Sequence, residues 1–149
     1  MHQNEEIYVM DTDGSNVTRL TNSEINYLTP LELGVLKQRM QYCCNDGNYD
    51  PSWSPDGSKI VYSGWESDGN PHGDREIYVM NKDGSGKTRL TEYSGQDSDP
   101  MWSHDGNKIV WDRSIDNASM VWVMDADGSN ANQITPGKYP SWSPNGDRI

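Results

Sequence analysis

Phenylalanine is missing altogether, hydrophobic residues make up only 32% of the 149-residue chain, and basic side chains are scarce. Twelve Lys+Arg face 23 Asp+Glu, for a formal net charge of −11. The shortage of cations argues against nucleic acid, because neutralising phosphates needs clustered Lys and Arg. It argues equally against anionic membrane surfaces. No apolar run approaches the ~20 residues of a membrane span. Met1 leads into a polar segment with no signal-peptide core, so the reading is a cytosolic chain, or a mature or excised piece that could be periplasmic. The two cysteines, Cys43 and Cys44, are adjacent. A bond between neighbours needs a strained ring, so a disulfide framework is excluded and the thiols are reduced or cross-link to another chain.

Low apolar content and high charge would suit a disordered chain, but such chains are poor in aromatics. Here 6 Trp and 8 Tyr recur in short apolar runs among 14 Gly and 8 Pro. That pattern is a folded β-protein with a wet surface.

The chain repeats itself. Glu6-Ile7-Tyr8-Val9-Met10-Asp11-Thr12-Asp13-Gly14-Ser15 returns at residues 76–85 and more loosely at 120–129. Thr18-Arg19-Leu20-Thr21 follows the first copy, with counterparts at 88–91 and 132–135. A second block, Asp50-Pro51-Ser52-Trp53-Ser54-Pro55-Asp56-Gly57-Ser58-Lys59-Ile60-Val61-Tyr62, returns at 99–111 and again from Tyr139 to Ile149. Each block reads as a hairpin: β-formers on either side of Asp-Gly, or of Pro-Asp-Gly, where Gly supplies positive φ and Pro pre-sets its own. The strands are apolar at consecutive positions, which fits sheets covered on both faces. Four short strands in ~40 residues is the signature of a β-propeller blade.

These motifs resemble the WD40-like (PD40) repeat of the TolB propeller family. The resemblance covers nearly the whole chain except residues 22–48, and it implies a six-bladed, all-β propeller. Such repeats occur in envelope scaffolds and in propellers attached to peptidases, so the fold is implied more sharply than the function.

With strands labelled A to D outward from the propeller axis, the second block is an A–B hairpin and the first a C–D hairpin. Residues 5–21 form a C–D half-blade, 22–49 a D–A connection with a helical insertion near 30–42, 50–91 and 99–135 two blades, and 139–149 an A–B half-blade. That is three blades' worth of strands, too few for a closed ring of four to eight. Two chains placed head to tail would supply six blades, closing as a homodimer or, without closure, propagating as a filament. The alternative is a fragment of a larger propeller protein.

The A–B and C–D turns are short and uniform, whereas the B–C and D–A connections on the opposite face are long and irregular. Variation concentrated on one face marks the binding face. On it lies the expected helix, with Thr29 as N-cap, Pro30 at the first position and Glu32 completing a capping box. Leu33, Leu36 and Met40 would share its apolar side and could dock a subunit or another protein. Trp65 could stack on a sugar or a peptide side chain. Asp68, His72 and Asp74 form a candidate metal group in the same loop, set against a solvated loop.

The resemblance also places Asp50 and Asp99 near the axial channel. Converging carboxylates there favour a divalent cation, Ca²⁺ first, or raised pKa values. The Asp-x-Asp-Gly-Ser copies fail the spacing of an EF-hand, and Gly84-Ser85-Gly86-Lys87-Thr88 lacks the first glycine of a P-loop. No Gly-x-Ser-x-Gly elbow is present. The expectation is a non-catalytic protein-binding or scaffold propeller. The rival is a metal-dependent carbohydrate-active lyase or hydrolase using a channel ion.

Overall fold

A computed structural model describes residues 5–22, 47–65 and 74–149. Among these, all regular structure is β. The strands are β1 (Tyr8–Val9), β2 (Thr18–Arg19), β3 (Asn48–Trp53), β4 (Lys59–Gly64), β5 (Glu76–Asn81), β6 (Thr88–Arg89), β7 (Gln96–Trp102), β8 (Lys108–Ile115), β9 (Ala118–Asp125) and β10 (Asn132–Pro136). They form two four-stranded antiparallel meanders, β3-β4-β5-β6 and β7-β8-β9-β10, preceded by the β1-β2 hairpin. The hairpin keeps the register of its in-sequence copy: Tyr8 opposes Arg19 as Tyr78 opposes Arg89. The expected blades are therefore present, with the half-blade ahead of them. The helix expected near 30–42 lies outside the described residues, as do Leu33, Leu36, Met40, Asp68 and His72.

The turns form because their polar side chains replace missing backbone partners. In the first A–B turn Asp56 Oδ1 accepts from Ser58 N at 3.0 Å and Ser54 Oγ at 2.6 Å. Asp105 repeats this with Asn107 N and Ser103 Oγ. In the C–D turns Asp13, Asp83 and Asp127 each accept from the Ser amide two residues on. Residues 139–149 reproduce the A–B turn, with Gly146 N donating to Ser143 O and Arg148 N to Ser143 Oγ, yet carry no strand ladder.

Consecutive apolar residues do face opposite ways. From the first blade, Ile60, Tyr62, Tyr78 and Met80 pack against Ile7 and Leu20 of the half-blade. Val61, Ile77 and Val79 point the other way, against Trp102, Ile109, Trp111 and Met124 of the second blade. The sheet of the first blade is thus the filling between two neighbours. The turn glycines are set by that approach: Gly84 has φ +83, and a Cβ there would lie 2.8 Å from the Leu20 carbonyl oxygen.

Among the described residues, the outward face of the half-blade has no such cover. Tyr8 is 55% exposed and Met10 64%, whereas their repeat counterparts Tyr78 and Met80 are each 1% exposed. Trp53 is 48% exposed although its counterpart Trp102 is 8%. Trp53, Trp102 and Trp142 recur in register in the repeated block and would be expected as inter-blade core; of the three, Trp102 is buried, Trp142 half-buried and Trp53 exposed. Among the described residues, no neighbouring A–B hairpin covers Trp53 as the first blade covers Trp102.

Candidate binding face

The ends of the strands opposite the short turns carry two polar clusters, both astride the boundary between the blades. The first sits at the inner strands. Asp50 and Asp99 each precede a proline and each adopt φ near +54 (54 and 53), as does Tyr139 (55). A left-handed residue before proline is an unfavourable conformation for a side chain other than Gly, Asn or Asp. It coincides with the register shifts between Tyr49 and Ser52 and between Ser98 and Met101. The resulting bulges turn the carboxylates out of the ladder.

Asp50 Oδ2 accepts from Ser63 Oγ at 3.0 Å and from the Asp99 amide at 3.5 Å, and stands 3.7 Å from Arg75. Asp112, which occupies the position of Ser63 in the next blade, accepts from the Tyr139 amide at 2.9 Å. The backbone at Asp99 and at Tyr139 is therefore tied in each case to the preceding blade by one carboxylate. Burial, followed by the charges of Asp50 and Asp112, pushes the Asp99 carboxyl up to about 6. Burial likewise raises Asp112. Asp50 and Asp99 stand side by side, the Asp99 amide meeting Asp50 Oδ2, and Asp112, at the repeat position of Ser63, is a neighbour that sequence reasoning missed. Among the described residues, no group of three or more His, Cys, Asp or Glu is arranged to hold a metal ion.

Arg75 joins this cluster to Trp65. Its guanidinium lies 4.8 Å from both the Trp65 and the Tyr49 ring centroids, and the two rings meet edge to face at 6.0 Å. The Trp65 ring thus has a protein cation against it. Asp74 ties two connections together: Oδ2 accepts from the Gly95 amide at 3.0 Å and Oδ1 from Gln96 Nε2 at 2.9 Å.

The second cluster is buried. Arg113 makes a two-pronged pair with Asp97, Nε to Oδ1 at 2.6 Å and a terminal nitrogen to Oδ2 at 2.7 Å. Its plane lies 4.8 Å from Trp122 and 5.0 Å from Tyr93. Glu76 approaches from the first blade, accepting from Thr91 Oγ1 at 2.6 Å. Burial and then the charge of Asp97, opposed by the Thr91 hydroxyl and Arg113, push Glu76 up to about 7. Sequence reasoning passed over this group, though a signal existed. Asp97 and Arg113 stand opposite one another where the first blade pairs Asn48 with Gly64, so both positions change together.

Comparison with known proteins agrees with this architecture. The profile of the TolB beta propeller domain (PD40) matches residues 37–149. An uncharacterized protein of Agrobacterium fabrum is 33% identical over 106 residues, covering 68% of this chain and 34% of that protein. A TolB-type structure from Agrobacterium tumefaciens superposes with a TM-score of 0.69 at 27% identity, over 95% of this chain and 47% of its own. TolB of Acinetobacter baumannii gives 0.66 at 19% identity, over 93% and 29%, a likeness of fold alone. The chain spans about a third of the curated relative and about half of the Agrobacterium tumefaciens structure. With blades, turns and profile in agreement over most of its length, the chain belongs to the TolB β-propeller (PD40) family.

Proposed function

We propose that this chain is a non-catalytic, protein-binding propeller module whose first partner is a second copy of itself. The observation that carries this is the exposure of Tyr8, Met10 and Trp53, at repeat positions that are buried in Tyr78, Met80 and Trp102. A sheet face built from core residues is an association surface, and the hairpin edge beside it has no partner strand among the described residues. The occupant with matching chemistry is the A–B element at 139–149. There Trp142 stands in the repeat position of Trp102, and Ile149 is 47% exposed where Ile109 is fully buried. Head-to-tail contact of these two surfaces completes a blade between chains, and a rotation that closes gives a six-bladed dimer.

Binding fits the face better than catalysis does. Its carboxylates are spent on protein groups: Asp50 on Ser63, Arg75 and the Asp99 amide, Asp97 on Arg113, Asp74 on Gly95 and Gln96. Ca²⁺ at Asp50 and Asp99 remains a proposal with its own test: calorimetric heat on adding Ca²⁺ that Asp99→Asn abolishes. For self-association, hydrogen exchange at the Tyr8–Met10 amides should slow as protein concentration rises, while Tyr78–Met80 stay protected throughout. Concentration-independent exchange at Tyr8–Met10 contradicts the proposal.

A further inference from the structure

The second blade shows how an A–B hairpin is joined to a C–D hairpin. At the short-turn end of the β8–β9 ladder Lys108 stands opposite Asp125, and Ile109 opposite Met124. Asp125 uses its oxygens separately: Oδ2 accepts from Asn130 Nδ2 of its own turn at 2.7 Å, and Oδ1 from Lys108 Nζ at 2.9 Å. Beyond that pair, Ala126 N donates to Asn107 O at 2.9 Å. In the first blade Lys59 opposes Asn81, Ile60 opposes Met80, and Lys82 N donates to Ser58 O at 3.0 Å. The join thus combines a backbone bond between turns, a basic residue opposite Asp or Asn, and an apolar pair behind them.

The halves of one more such join stand on separate surfaces of the chain. Met10, Asp11 and Thr12 hold the repeat positions of Met124, Asp125 and Ala126, while Asp147, Arg148 and Ile149 hold those of Asn107, Lys108 and Ile109. Both halves are already shaped for it. Asp11 Oδ2 accepts from Asn16 Nδ2 at 2.6 Å, as Asp125 Oδ2 does from Asn130, and Oδ1 accepts nothing among the described residues. Arg148 N donates to Ser143 Oγ at 3.0 Å, as Lys108 N does to Ser103 Oγ at 2.9 Å. The Arg148 side chain is exposed and makes no ion pair among the described residues. Neither Thr12 N nor Asp147 O has a backbone partner among them. Met10 is 64% exposed and Ile149 47%, against 1% for Met124 and 0% for Ile109.

Resting on the head-to-tail association proposed above, we infer that Arg148 of one chain pairs with Asp11 of a second copy, with Ile149 opposite Met10, and that this pair sets the register and direction of the joint. An exposed ion pair adds little affinity, so its contribution is to the choice of contact. A slip of one residue would set Ile149 against Asp11 and turn the apolar side chains to the wrong face. Contact between two like surfaces would set Arg148 against Arg148, or Asp11 against Asp11.

The test exchanges the charges. Arg148→Glu and Asp11→Lys are made in separate chains, and association is followed by light scattering for each alone and for an equimolar mixture. Alone, each variant sets like charges at every joint, and its dissociation constant should rise at least ~5-fold over the native chain. In the mixture the two replaced positions meet at one joint, and the native Arg148 and Asp11 meet at the other. Association should therefore return to the native level, and all these differences should narrow in high salt. Should Asp11→Lys disturb its turn, Asp11→Asn replaces it, because the first blade carries Asn81 there and keeps a turn bond from Asn81 Nδ2 to Ser85 Oγ. Its mixture with Arg148→Glu should still associate more tightly than Arg148→Glu alone. Variants that associate as the native chain does, or a mixture no tighter than its components, overturn this pairing and leave the head-to-tail reading standing. A native chain that stays single at every concentration overturns both.

Discussion

Replacing Asp97 by Asn and Arg113 by Gly, singly and together, probes how the blades are joined. Arg113 is almost wholly buried and holds both oxygens of Asp97 at 2.6 and 2.7 Å. Breaking a buried pair by removing one partner costs ~3–5 kcal/mol, because an uncompensated charge is left behind. Asp97→Asn leaves Arg113 with Glu76 as its nearest anion and should fall at the low end. Arg113→Gly leaves two buried carboxyls and an emptied space between Trp122 and Tyr93, so it should reach the upper end or beyond. The double variant re-creates the arrangement of the first blade, where the Asn48 carboxamide occupies the space in which a Gly64 side chain would stand. It loses the ring contacts of Arg113 but strands no charge, so its cost should approach that of one single variant. A coupling energy of at least ~2 kcal/mol follows. Urea unfolding followed by tryptophan fluorescence on all four chains gives the cycle. Additivity within about 0.5 kcal/mol would refute the idea that the two positions form one unit.

The remaining predictions concern the same blade boundary and the turns. Glu76 is raised from 4.5 to about 7 in the folded chain, so the folded state holds its proton more tightly. Its contribution is fully present below pH 4.5 and is lost as pH rises through 7. Glu76→Gln should therefore flatten the fall in urea midpoint between these values, a change of order 2 kcal/mol after screening. Gly84→Ala and Gly14→Ala meet the same positive φ, +83 and +82, but only Gly84 faces a carbonyl at 2.8 Å, whereas Gly14 faces open space. Both should destabilise, Gly84→Ala by ~1 kcal/mol or more beyond the other, and equal midpoints would contradict the packing described. Arg75→Ala removes the cation that lowers Asp99, so the Asp99 carboxyl should titrate above about 6 by carbon-detected NMR.

Local repeats made the blades legible. Ile-Tyr-Val-Met and Lys-Ile-Val-Tyr announce strands buried on both faces, and Asp-Gly announces turns, because these are one-residue-at-a-time demands of backbone and burial. The polar clusters were harder to see because they depend on what a neighbouring blade places opposite. Asp50 and Asp99 stood out as repeated residues. Asp112, Arg75 and the Asp97–Arg113 pair depart from the repeat instead, whereas Glu76 repeats Glu6 and differs from it in what the next blade places opposite. Trp53 shows the same limit, since it shares a motif with Trp102 yet differs in exposure, 48% against 8%, only because of what covers it.

Head-to-tail completion of blades is tested most directly by the mass of the 149-residue chain in solution. Light scattering across a concentration series should converge on twice the chain mass of 16.8 kDa, about 34 kDa, or on a growing series of multiples. Met10→Asp, which places a charge on the open face, should return the protein to a single chain. A folded, monodisperse 16.8 kDa species at every concentration contradicts the account.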